Sequence, residues 1–163
     1  MNHNIDQFHM PRYHEIPTIG LYLEQTIEYI NQAVSPLGDI SITSSMISNY
    51  VKHGYIDRPI KKRYTEEQIA SLLFMVIAKQ VLSMERIADM FEMQKKSCDS
   101  ETAYNFFCDE LETLLSYMFD TKKEEPLPYD KSAPLENRML RSILIAVSQI
   151  IYLNHCFADL QEP

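Results

Sequence analysis

Apolar residues recur at helical spacing along most of the chain. Leu23, Ile27, Ile30 and Val34 fall at i, i+4, i+7 and i+11, one face of a helix. Thr18 is a suitable N-cap for it, and Pro36 to Gly38 a stop. Thr43 caps a second helix through Met46, Ile47, Tyr50 and Val51, which ends at Gly54. Thr65 and Gln68 form a capping box at the head of a third helix, whose buried face is Ile69, Leu72, Leu73, Val76 and Ile77. Ser83 opens a shorter helix to about Met93, with Ile87, Met90 and Phe91 facing inward, and residues 95–100 read as a linker.

The next amphipathic helix carries Tyr104, Phe107, Cys108, Leu111, Leu114, Leu115 and Met118 on one face and Asp109, Glu110 and Glu112 on the other. Residues 121–134, with Pro126, Pro128 and Pro134, form a long loop. The last helix starts near Pro134 and holds two adjacent apolar stripes. One is Met139, Ile143, Ala146, Ile150, Leu153 and Phe157; the other is Leu140, Leu144, Val147 and Ile151. Such a wide face needs more than one neighbour, either a second copy of the chain or other helices of the same monomer.

Residues 55–64 break this helical pattern. Pro59 and the flanking β-formers predict two short strands joined by a turn. Residues 1–17 are polar, contain Pro11 and Pro17, and read as a loosely attached arm. His3, His9 and His14 lie there without a cysteine or carboxylate in metal-binding register, so no metal or other cofactor is expected.

Composition narrows the class. With 163 residues, 45% of them hydrophobic and only three glycines, the chain suits a helical domain with a real core. No glycine-rich phosphate loop is possible. Three cysteines, Cys98, Cys108 and Cys156, form neither a CxxC pair nor an even set, which argues for free thiols in a reducing cytoplasm. The N-terminus has no basic, apolar signal pattern, and the apolar run 142–153 is too short for a membrane span, so no membrane partner is expected. No catalytic motif is present, and an enzyme is not expected.

Charge placement is the informative feature. The net charge is −8, yet residues 52–63 carry Lys52, Arg58, Lys61, Lys62 and Arg63 against Asp57 alone. That segment is +4, which leaves −12 for the other 151 residues. A local positive field of this kind suits phosphate contacts, although a solvated hairpin with lysines guarding its edge has the same composition. The preceding helix offers Ser44, Ser45, Ser48, Asn49 and Lys52 on its polar side, short hydrogen-bonding groups suited to base edges and phosphates. Helix, short loop, second helix, basic hairpin and capped helix together follow the order of a winged helix-turn-helix.

The run Met46 to Ile56, followed by Pro59, Lys61 to Thr65 and Gln68 to Ala70, resembles an uncharacterised bacterial family known only as a domain of unknown function. Its core is similar to the DNA-binding domain of mercury-resistance-type (MerR) regulators, over roughly residues 18–93. Aligned on Gly54, the resemblance places Ser48 and Asn49 where those regulators carry arginine and tyrosine, and it keeps Tyr50. It implies a winged helix and a role in transcription control.

The expected architecture is therefore mainly α: an arm (1–17), a MerR-like winged helix-turn-helix with a small β-hairpin wing (18–96), and a C-terminal helical pair (97–163). The expected function is binding of double-stranded DNA by a cytoplasmic, homodimeric transcriptional regulator. The contact set is Ser44, Ser45, Ser48, Asn49, Tyr50, Lys52, Arg58, Lys61, Lys62 and Arg63. The alternative is a protein-interaction module on the same fold that does not bind DNA.

Overall fold

A computed structural model describes residues 5–126 and 131–161. His3 and Pro128, named above, lie outside the described residues. The structure is mainly helical. After β1 (Leu21–Tyr22) come α1 (Leu23–Val34), α2 (Ser44–Lys52), β2 (Arg63–Tyr64), α3 (Glu66–Ala78), α4 (Met84–Ser97), α5 (Ser100–Phe119) and α6 (Leu135–Asp159).

The centre is α3. Ile69, Leu72, Leu73, Met75, Val76 and Ile77 are all buried, so this helix is apolar nearly all round. It packs against α1, α5 and α6. Its head is fixed by the capping box: Gln68 N–H donates to Thr65 Oγ1, and Thr65 N–H donates to Gln68 Oε1 at 2.9 Å. One cluster of buried side chains runs continuously from Ile5 to Ile151.

The N-terminal segment is not a loose arm. Ile5, Phe8, Met10 and Ile16 are buried, and two short 3-10 turns, Ile5–Gln7 and Tyr13–Glu15, lay the segment along α5. Polar contacts clasp it there. Arg12 bonds to Glu112 and to Asp109, the latter at 2.8 Å. Met10 N–H donates to Glu112 Oε1, and Tyr104 Oη donates to the Pro11 carbonyl at 2.6 Å. The hydrogen bond from Arg12 to Glu112 is the main reason its guanidinium holds its proton even more tightly than usual. The acidic face of α5 is therefore partly used as a docking surface for this strap.

Three boundaries differ from the sequence reading. Helix α1 begins at Leu23 with Tyr22 as N-cap, because residues 18–22 first turn at Gly20 and then enter β1. Helix α4 continues to Ser97, supported by a Glu92–Lys95 pair, and only Cys98 and Asp99 separate it from α5. Asp99 caps α5 by accepting from Thr102 N–H at 2.7 Å. Pro134 stands at the N-cap of α6.

The region 55–64 does not form a hairpin of two strands. Ile60 and Arg63 make a single bridge around a two-residue turn, while Arg63–Tyr64 pairs antiparallel with Leu21–Tyr22 from before α1. Pro59 has no N–H for a ladder. The carbonyls of Asp57 and Arg58 accept instead from Gln68 Nε2, which pins this stretch to α3.

In α6 the two stripes have different fates. Leu144, Val147 and Ile151, with Ile143, are buried, and Leu140 packs against them. The other stripe is largely open: Leu153 is 52% exposed, Phe157 62%, and Leu160 beyond it 79%. Contrary to the sequence expectation, α6 is long and apolar enough to cross a membrane by length and composition, with an 18-residue window of mean hydropathy 1.3. One face of it is nevertheless packed on α5, α3 and α4.

Candidate nucleic-acid interface

Helix α2 is built as a two-faced rod. Thr43 caps it by accepting from Met46 N–H, and Gly54, at φ 73°, stops it in the left-handed conformation that glycine adopts without strain. Ile47 and Tyr50 are buried, with Met46 and Val51 packed beside them. This anchoring turns Ser44, Ser45, Ser48, Asn49 and Lys52 to solvent. The connector from α1, residues 35–43, is longer than the short loop expected and includes a 3-10 turn. Asn31 holds it: the side-chain amide accepts from Ile42 N–H at 2.8 Å and donates to the Ile42 carbonyl at 3.0 Å. The angle between α1 and α2 is thus set by a reciprocal amide clamp.

Tyr50 does not belong with the contact residues. It is 5% exposed, and burial pushes its phenol pKa up. Its place on α2 makes it a core anchor for the exposed face.

The basic turn has unusual backbone geometry. Ile60 and Arg63 exchange both backbone hydrogen bonds, at 3.0 and 2.9 Å. Lys61 and Lys62 between them lie at φ 50° and 65°. Two consecutive positive φ values define a type I′ turn, which ordinarily takes Asn-Gly. Each lysine is strained there, at a cost of about 1 kcal/mol. Both side chains are exposed, as are those of Lys52 and Arg58. Among the described residues, none of these four cations pairs with a carboxylate.

Arg63 is different. Its guanidinium donates to the Ile19 carbonyl and to Tyr22 Oη, and lies over the Tyr22 ring at 4.6 Å from the centroid. It ties β2 to the segment before α1 and is only partly exposed, so it is a brace for the turn rather than a free cation. Gly20 makes room for this brace, since a Cβ at that position would sit 3.1 Å from Arg63 Cβ. Sequence reasoning missed Tyr22, Gly20 and Gln68 as supports of the turn. A two-residue strand carries no alternation, and Gly20 was the one available signal.

A family profile described as a domain of unknown function, DUF1836, matches residues 11–107. The chain belongs to the DUF1836 family. The matched part of the DUF1836 domain includes the exposed face of α2, the basic turn, the whole of α3 and α4, and the first turns of α5. No curated protein and no solved structure matches the chain.

Proposed function

We propose that this DUF1836 protein binds double-stranded DNA, as a MerR-like winged helix-turn-helix regulator acting in the cytoplasm. Helix α2 would lie in the major groove, and the Lys61–Lys62 turn would serve as a short wing on the backbone. The observation that carries this reading is the set of four exposed cations, Lys52, Arg58, Lys61 and Lys62, with no carboxylate partner among the described residues, on a chain that is strongly acidic elsewhere. Phosphate contacts give affinity and register, and the short polar groups of α2 supply base readout. Asn49 has the amide suited to adenine. A strained turn with lysine at both central positions supports the same reading, because an unstrained Asn-Gly turn would remove both charges.

A regulator of this type binds paired half-sites as a two-fold dimer. The open stripe of α6 offers the dimer surface, since Met139, Ala146, Leu153 and Phe157 follow the spacing of a helix seam and lie on the exposed side.

A specific observation favours the alternative, a protein-interaction module: Ile60, beside the turn, is 66% exposed, and Ile19, whose carbonyl holds Arg63, is 76% exposed. The two readings part at Lys61 and Lys62. Changing Lys61 and Lys62 to Glu should abolish binding to a mixed-sequence duplex in fluorescence anisotropy, with far-ultraviolet circular dichroism unchanged. An undiminished affinity in that variant would reject the DNA reading.

A further inference from the structure

Where α3, α4, α5 and the start of α6 converge, they leave a cleft of about 370 Å³, within the range of small-molecule sites. Nothing proposed above uses it. We propose that this cleft is a binding site for a small hydrophobic cation, an aromatic amine with a ring system of one or two rings.

The inner wall is aromatic. Phe74 packs edge-on against Phe91, with ring centroids 5.5 Å apart, and against Phe107 at 5.2 Å. Met90 and Leu140 add to the apolar lining. Aromatic rings carry a negative face that attracts a cation held against it.

The charged groups of the lining, among the described residues, have one sign. Among the described residues, Glu67 and Glu136 are its only charged side chains, and no lysine, arginine or histidine lines the cleft. Glu67 accepts from Ser100 Oγ at 2.7 Å, and its second oxygen accepts from no described residue. No described residue pairs with Glu136. Gln94 donates one amide N–H to the Cys98 carbonyl at 2.7 Å, and its oxygen remains an acceptor beside a second N–H. Tyr104, also in the lining, has spent its hydroxyl proton on Pro11. The cleft therefore offers carboxylate acceptors on an aromatic wall. An amine supplies the matching donors and charge, whereas an anion would meet two carboxylates with no counter-charge.

The test is isothermal titration calorimetry of the full chain at low salt with three matched probes: 1-naphthylmethylamine, 1-naphthalenemethanol and 1-naphthoate. The amine should bind about tenfold more tightly than the alcohol, and the naphthoate should not bind measurably. In the double variant Glu67→Gln, Glu136→Gln the amine should fall to the affinity of the alcohol. Ala103→Phe, which fills the cleft from a half-buried position, should abolish binding of both. Its fold is checked by circular dichroism, and if it does not fold, protection of Cys98 from alkylation by the amine replaces it, since that thiol also lines the cleft. Naphthoate binding as well as the amine, an unchanged amine affinity in the Gln variant, or no binding by any probe would each overturn the proposal.

Discussion

Replacing Lys61 and Lys62 together by Asn and Gly should stabilise the protein and weaken the proposed binding to DNA. Both lysines sit at positive φ, where an L side chain costs about 1 kcal/mol or more per residue. Asparagine tolerates that region better, and glycine removes the clash. Glycine also frees the unfolded chain, which offsets about 0.5–1 kcal/mol of the gain. The net expectation is a stabilisation of about 1 kcal/mol, or a rise in Tm of about 2–4 °C for a chain of this size. Urea unfolding, with the midpoint read at constant m-value, measures it. In parallel, on the DNA reading, the slope of log affinity against log salt should shrink by about 1.8 per protomer, one phosphate contact for each lysine. The control is Lys61→Gln with Lys62→Gln, which keeps the strain and removes the charge. It should lose the same salt slope with little change in stability. An Asn-Gly variant no more stable than the Gln pair would refute the strain argument, and an unchanged salt slope would refute the phosphate contact.

Other consequences are equally direct. Asn49→Ala should cost about 1–3 kcal/mol at one base position of a preferred site and little on random duplex, read by competition binding; an equal loss on all sequences would give Asn49 a positioning role only. Arg12→Ala should destabilise by about 1–3 kcal/mol in urea unfolding, because Glu112 loses its partner and the strap its clasp. Ser148, buried in α6 with its hydroxyl unpartnered, should gain about 1 kcal/mol on replacement by Ala; a loss of stability would show that the hydroxyl has a partner. Burial pushes the Cys108 thiol up to about 12, so at pH 8 only about one part in ten thousand is thiolate. Native Cys98 should therefore react with a thiol reagent, and Cys108 only after unfolding. Leu153→Glu on the open stripe of α6 should leave a folded protein and, in sedimentation, convert the proposed dimer to a monomer; a monomeric wild type would refute that dimer.

The helices were legible because their signals are local. Thr43, Thr65 and Ser83 each cap the helix they precede, and the 3.6-residue spacing marks the buried faces of α2, α3 and α5. What could not be read depends on contacts far apart in the chain. Ile5, Phe8, Met10 and Ile16 follow no period, so their burial against α5 is invisible without the partner surface that Arg12 and Glu112 secure. The pairing of β1 with β2 joins residues separated by two helices, and each strand is two residues long. In the candidate interface, the exposed side of α2 followed from its periodicity. The same periodicity, through Tyr50, argued for burial, and the resemblance to DNA-binding proteins outweighed it. Nothing in the local charge pattern could separate Arg63, held by Tyr22 and Ile19, from the free lysines beside it.

The most direct test of the DNA reading is the salt dependence of binding to a fluorescent mixed-sequence duplex. Four exposed cations at about 0.9 per contact predict a slope of log affinity against log salt of about −3.6 per protomer, and about −1.8 in the Lys61→Gln, Lys62→Gln variant. No binding at low salt, or binding whose slope is near zero and indifferent to those two lysines, would contradict it.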